Sequence, residues 1–237
     1  MIQMLRIEIR EKWKLFPDEV ENFIKYRALL FQTPAILEMN RDVIELSRKI
    51  LETYGRRRVN LYAVNGISYR LSMDFKINET IKFECLMDGK CCRDYDVLLT
   101  PFDLERISNY LGIDKKDFFI NYCTIDGVCL KLAKTDNGCV FQDREGKCKI
   151  YEAKPIACDI FPFGYISENR VEVRVCHGLF AGRSRMVGEL LEEFDVLDKL
   201  DIKLYFNYKG EKYLENYTKY GLFPPNPVAI VRKLYGF

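Results

Sequence analysis

The sequence predicts an α+β fold: a loop-rich cysteine-cluster domain with a β-hairpin and short strands, flanked by N- and C-terminal helices. Three observations carry this expectation. Apolar residues recur at helical spacing before residue 57 and after residue 182. Two-residue alternation is confined to short runs between them. All nine cysteines lie between Cys85 and Cys176. The chain therefore divides into an N-terminal helical region (1–56), a cysteine-cluster domain (57–182) and a C-terminal helical region (183–237) packed on it.

Pro17 suits a first helical position, and Val20, Phe23, Ile24, Leu30 and Phe31 fall on one helical face. Thr33-Pro34 reads as an N-cap with proline behind it, opening a second helix. There Ile36, Val43 and Ile50 repeat every seven residues, as do Leu37, Ile44 and Leu51, which predicts a seam between the two helices. Alternating residues then flank Asn65-Gly66, a pair that accepts positive φ at both turn positions and so signals a hairpin. Thr100-Pro101 starts another helix, with Asp103 in its first turn, a stripe of Leu104, Ile107 and Leu111, and Gly112 as terminator. Asp114 caps a shorter helix carrying Phe118, Phe119 and Tyr122. Val128, Leu130 and Leu132 alternate in one strand, and Val171, Val173 and Val175 in another. Val187, Leu190, Leu191, Phe194 and Leu197 mark an amphipathic helix, followed by aromatic-rich helical stretches near 213–220 and 228–235.

Composition excludes several function classes. A chain of 237 residues with 48% apolar and 30% charged residues is that of an ordinary globular protein. A net charge of +2 offers no electrostatic case for nucleic acid or an anionic membrane. The one basic run, Arg56-Arg57-Arg58, reads as a solvated helix end. No apolar run reaches the ~18 residues of a membrane span. The first residues mix charge with apolar side chains and lack a secretory signal core, so a cytoplasmic protein is expected. With one histidine, His177, a multi-histidine oxygenase or hydrolase site is excluded. Nucleotide-binding glycine loops and a Ser/His/Asp set are also missing.

In a reducing cytosol, clustered cysteines favour metal binding or redox chemistry over structural disulfides. Soft thiolates suit zinc and iron–sulfur centres, and coordination keeps the thiol deprotonated. The chain is rich in Lys, Glu and Ile and has only Gln3, Gln32 and Gln142 as glutamines. That composition is hyperthermophile-like and keeps a disulfide-stapled, metal-free protein as an alternative. Neither the CxxC pairs of zinc ribbons nor the CxxCxxC run of ferredoxins is present, so spacing does not choose the metal. Cys91 and Cys92 need a tight turn to serve one centre, and Gly89 can help supply it.

The segments CLMDGKCC, GCVFQDREGKCKIYEAKPIACDIFPF and CHG together resemble a cysteine-cluster family of zinc- or iron-chelating domains. Some members are labelled iron–sulfur-cluster proteins, and a similar domain occurs in flagellin lysine methylases. Matching residues are Cys85, Cys91 and Cys92; Thr100, Pro101 and Asp103; Cys139 and Phe141; Cys148, Ile150 and Tyr151; Pro155 and Cys158; Phe161, Pro162 and Phe163; and Cys176 with Gly178. The resemblance covers roughly residues 80–180. It implies metal chelation by Cys85, Cys91, Cys92, Cys139, Cys148, Cys158 and Cys176, with zinc or iron, including a 4Fe–4S cluster, as the cofactor.

Lys154 stands where the family usually has Arg, and His177 where it usually has Pro. Cys123 and Cys129 fall outside the pattern and read as bystanders, and His177 as a polar neighbour of the site. Asp94, Asp96, Asp103, Asp143 and Asp159 lie near cysteines and read as turn or cap residues before general bases. Tyr151, Phe161 and Phe163 read as packing that shields the centre. The leading expectation is a metal-binding protein whose partner is a metal ion. The alternative is a metal- or iron–sulfur-dependent redox or protein-modifying enzyme.

Overall fold

A computed structural model describes residues 11–199, apart from 65, 127, 128, 137, 168 and 197, together with Tyr235. The expected helices near 213–220 and 228–235 lie outside the described residues, Tyr235 excepted. In chain order the elements are β1 (Lys12–Leu15), α1 (Pro17–Leu30), α2 (Ala35–Met39), α3 (Arg41–Tyr54), β2 (Val59–Ala63), β3 (Tyr69–Lys76) and β4 (Thr80–Lys82). They continue with α4 (Lys90–Asp94), β5 (Leu98–Leu99), α5 (Pro101–Leu111), α6 (Lys115–Tyr122), β6 (Cys123–Asp126), β7 (Cys129–Leu132), β8 (Lys134–Thr135), β9 (Gly138–Cys139) and α7 (Ile156–Asp159). The last described elements are β10 (Phe163–Ser167), β11 (Arg170–Arg174), β12 (Ser184–Met186) and α8 (Val187–Glu193). Helices and small antiparallel sheets make an α+β fold, as the sequence predicts.

Two compact units interleave along the chain. The first comprises residues 1–86 and 162–190, the second 87–161 and 191–237. In the first unit a five-stranded antiparallel sheet has the order β1-β2-β3-β11-β10, and β4 pairs with β12. Leu61, Leu71, Met73, Phe75, Val171 and Val173 are buried at alternate positions, so one sheet face is apolar. The α3 residue Tyr54 meets Phe75 edge-on at 5.7 Å, which puts the helical layer on that face. The other face is polar and knit together: Glu172 Oε1 accepts from Tyr62 Oη at 2.5 Å and Ser72 Oγ at 2.6 Å.

Pro17 opens α1 as predicted, and Val20, Ile24 and Ala28 form its buried stripe. Leu30 and Phe31, expected on that stripe, are exposed, because Ala28 occupies the inward position in the last turn. In the predicted seam Ile36, Val43 and Ile50 are buried, while Leu37 and Ile44 are half-buried and Leu51 is exposed. The second helix is broken at Asn40, which separates α2 from α3. Asn40 is fully buried. Its Nδ2 donates to the carbonyls of Ile36 and Ile67, and its Oδ1 accepts from the Tyr69 N–H at 2.8 Å. Thr33 caps nothing; its hydroxyl donates to Phe31 O. The β2–β3 hairpin forms, but with a wider loop than a two-residue turn. Ala63 pairs with Tyr69, and Val64 N–H bonds Ser68 O.

In the second unit β5, β7 and β6 form a three-stranded sheet and β8 pairs with β9. Thr100 caps α5, Asp114 caps α6, and Gly112 ends α5 at φ 67°. Leu104, Ile107, Phe118, Leu130, Phe141 and Ile150 make its apolar core. Among the described residues no helix is long and apolar enough to cross a membrane.

Asn40→Ala strands the buried Tyr69 N–H and takes a donor from the part-buried Ile67 carbonyl, while Ile36 O keeps the backbone N–H of residue 40, so it is expected to cost on the order of 1–3 kcal/mol. A lowered urea midpoint would show this; an unchanged midpoint would mean that the α2–α3 break is held by something else.

Candidate metal centre

The second unit delivers five of the seven expected ligands on four short pieces of backbone. Cys91 and Cys92 sit in the single turn of α4, with Gly89 as its left-handed N-cap (φ 66°) and Asp88 Oδ1 accepting from the Lys90 N–H at 3.0 Å. Helical backbone turns ~100° per residue, so neighbouring side chains are splayed less than in a strand. The tight turn that the doublet requires is therefore present. Cys139 ends the two-residue strand β9 and is buried. Cys148 lies across from Gln142 in an isolated antiparallel bridge. Cys158 lies in α7, where its N–H donates to Pro155 O at 2.8 Å.

These pieces lean on the apolar core through Cys92, Cys139, Phe141, Cys148 and Cys158, and polar side chains tie them to one another. Gln142 Nε2 donates to Gly89 O at 2.9 Å and to Gly146 O at 3.2 Å, tying the Cys91-Cys92 turn to the loop between Cys139 and Cys148. The approach leaves no room for a side chain at the glycines. A Cβ on Gly89 would stand 2.3 Å from Gly146 O, and one on Gly138 would stand 2.4 Å from Gln142 Oε1. Asp143 closes the loop, its Oδ1 accepting from the N–H groups of Glu145 at 2.9 Å and Lys147 at 2.8 Å. Behind the loop, Phe141 stacks on Tyr122 with centroids 5.0 Å apart.

The thiols of Cys92, Cys139, Cys148 and Cys158 feel one another electrostatically. Burial is the main influence raising Cys158 well above the ordinary thiol range, with Cys92, Cys139 and Cys148 adding to it. Burial likewise pushes Cys139 up to about 11, again with contributions from Cys92 and Cys148, and raises Cys148, with Cys92 contributing. Cys92 moves the other way, to about 7, chiefly through its hydrogen bond with Cys91, with help from the Arg93 charge against the cost of burial. Each ionised thiol opposes the ionisation of its neighbours. Among the described residues no three His, Cys, Asp or Glu side chains are close enough to hold a metal ion. The donor set fits a soft cation nonetheless: four sulfurs match the demand of tetrahedral zinc or of an iron–sulfur cluster.

Cys85 and Cys176 belong to the first unit, on adjoining segments. Glu84 N–H donates to Gly178 O at 3.0 Å, and a Cβ on Gly178 would stand 2.5 Å from Glu84 O. Cys85 is exposed; Cys176 and His177 are half-buried. Cys123 packs against the same apolar core as Cys92, Cys148 and Cys158, a core to which Cys139 belongs, and burial alone pushes the Cys123 thiol up to about 12. Cys129 opens β7, in register with Asp126.

The nearby carboxylates are committed to structure. Asp159 pairs with Lys154 at 3.2 Å and Lys199 at 2.5 Å, and Asp96 with Lys131 at 3.0 Å and Lys134 at 3.3 Å. Asp103 and Asp143 are a cap and a loop closure. Of the aromatic residues expected to shield the centre, Phe161 packs on Tyr95 at 5.4 Å. Phe163 is buried in the first unit beside Phe83. Tyr151 is exposed and carries the Lys154 ammonium over its ring at 4.4 Å, so it does not shield. Sequence reasoning missed Gln142. A glutamine between two cysteines in a chain with three glutamines is the signal that could have found it.

Residues 84–177 match the model of the CxxCxxCC family, described as "Putative zinc- or iron-chelating domain". The match spans the segment in which the cysteine pattern alone shows that resemblance. The chain is also similar to an uncharacterised protein of Methanocaldococcus jannaschii, 26% identical over 140 residues that make up 55% of this chain and 75% of that protein. No solved structure matches.

Gly89→Ala is expected to cost at least about 1–2 kcal/mol for the left-handed backbone alone, and its methyl would also push the Gly146 loop away. Reduced metal content by elemental analysis, with Cys123 still inert to iodoacetamide at pH 8, is the expected pattern. Wild-type metal content would show that the Gln142 clamp is dispensable.

Proposed function

We propose that this chain is a metal-binding protein whose centre is formed by Cys92, Cys139, Cys148 and Cys158, with Cys91 hydrogen-bonded beside it. The observation that carries the reading is that Cys92, Cys139, Cys148 and Cys158, up to 66 residues apart along the chain (158 − 92), all pack into one apolar core of one compact unit. The family match over residues 84–177 supports chelation of zinc or iron. A bound cation supplies the positive charge that keeps neighbouring thiolates ionised. Cys85 and Cys176 lie apart from these four, on adjoining segments of the first unit.

Each side chain has a definite task in this reading. Gln142 and the glycines about it set the spacing between the Cys91-Cys92 turn and the Cys139–Cys148 loop. The Phe141–Tyr122 stack keeps one side of the loop apolar. Four sulfurs closing on one cation would make a structural or storage centre rather than a catalytic one. The engagement of Asp96, Asp103, Asp143 and Asp159 in ion pairs and backbone hydrogen bonds points the same way. The disulfide-stapled alternative receives no support: Cys85, Cys91, Cys92, Cys123, Cys139, Cys148, Cys158 and Cys176 are in no disulfide. Thiolate ligands and a net charge of +2 favour a reducing, cytoplasmic setting, with a metal ion rather than nucleic acid as partner.

Purification without oxygen, followed by elemental analysis and absorption spectroscopy, tests the proposal. Zinc in a colourless protein and iron with sulfide in a brown one are the two positive outcomes, and they separate a mononuclear from an iron–sulfur centre. Replacing Cys92, Cys139, Cys148 or Cys158 singly by serine is expected to weaken binding more than ~100-fold, beyond the range of outer-shell changes. Cys123→Ser should leave binding intact. A protein that retains no metal after oxygen-free isolation, or four serine variants that all load fully, would refute it.

A further inference from the structure

We propose that Asp103 is a positioning residue of the metal centre, whose carboxylate fixes the start of α7 and thereby the place of the Cys158 thiol. The inference rests on the four-thiol reading above and adds to it a residue that no sulfur chemistry reveals. Asp103 is fully buried, and its two oxygens have different tasks. Oδ2 accepts from the N–H and the hydroxyl of Thr100, both at 2.8 Å, and so completes the cap of its own helix. A capping role ends there.

Oδ1 accepts instead from the Ile156 N–H at 2.8 Å, fifty-three residues along the chain, and from Arg106 Nη2 at 3.1 Å. Ile156 is the first residue of α7, and Cys158 follows two positions later. Pro155 has no N–H, so the Ile156 amide is the first donor by which this turn can be anchored after Lys154. Arg106 grips the other side of the proline, donating to Lys154 O at 2.5 Å. A four-residue helix has almost no stability of its own, because nucleation costs more than one turn of hydrogen bonds returns. Its position is set from outside, and α5 sets it through Asp103 and Arg106. The buried carboxylate therefore connects the cap of one helix to the presentation of one ligand.

Zinc affinity of the full-length chain, measured by competition with a chromophoric chelator, tests this in wild type, Asp103→Asn, Cys158→Ser and the double variant. Asparagine keeps the size but replaces one accepting oxygen by a donor. It cannot serve both the Ile156 and the Thr100 amides. Asp103→Asn is expected to weaken zinc binding ~10–100-fold, the range for outer-shell partners. In the Cys158→Ser background the same change should cost less than ~2-fold, since the ligand it positions is already gone. Asp114→Ala, which removes the cap of α6, should lower the thermal midpoint and leave zinc affinity unchanged. Should Asp103→Asn fail to fold, Arg106→Ala carries the same test, because Arg106 is part-exposed and holds the same segment.

Wild-type zinc affinity in Asp103→Asn, or an equal loss in both backgrounds, overturns the inference and leaves Asp103 a helix cap. Wild-type affinity in Cys158→Ser overturns the four-thiol reading itself, a result distinct from failure of Asp103 alone.

Discussion

Buried thiols near one another resist ionising together, and that resistance is the constraint on the cysteine-bearing part of the second unit. Cys139, Cys148 and Cys158 are each pushed toward the neutral form by burial and by their neighbours. Nothing intrinsic to these sulfurs draws them together, so the backbone has to do it. Apolar packing alone is a poor instrument, because the connecting pieces are short and rich in glycine and charge. The protein uses side-chain-to-backbone hydrogen bonds instead: Gln142 to Gly89 and Gly146, Asp143 to Glu145 and Lys147, Asp103 to Ile156. The Gln142 bonds are partly buried and the Asp103 bond is buried, so the low local dielectric strengthens these, whereas the Asp143 bonds are exposed.

The helix starts were legible because their chemistry is local. Pro17, Thr100-Pro101, Asp114 and Gly112 announce α1, α5, α6 and its predecessor's end within a few residues, and each stands where expected. The alternating valines of β11 were legible for the same reason. The break at Asn40 was not. Helical periodicity runs straight through that position, and only the hydrogen bond to Tyr69, twenty-nine residues on, shows what the asparagine gains by leaving the helix. Leu30 and Phe31 misled in the opposite direction, since a periodic pattern cannot say where burial ends along a stripe.

The site divides in the same way. Cysteine positions mark the ligands in the linear sequence, and Gly89 beside the doublet hints at its turn. The residues that hold the ligands carry no such mark. Gln142 and the second oxygen of Asp103 act over distances of about fifty residues, and no spacing rule relates Asp103 to Ile156 or Gln142 to Gly89. The Thr100–Asp103 cap was visible as a cap. That it also holds the Cys158 turn follows only from the fold.

The interleaving of the two units bears on how the cysteines are shared between them. Strands β3 and β11 pair in register from Lys76 to Ser72 against Arg170 to Arg174, although residues 87–161 intervene and belong to the other unit. Along the chain, Cys85 is the one cysteine of the first unit before the intervening segment and Cys176 the one after it. Those two cysteines are thus tied to the sheet-bearing unit, where Gly178 lets their segments run side by side with no Cβ between them. Closing a long loop costs little more than closing one of half the length, because the entropy grows only with the logarithm of chain length. A cysteine-bearing segment can therefore be carried between two strands of an established sheet without undoing their pairing, and each unit keeps its own core and its own cysteines.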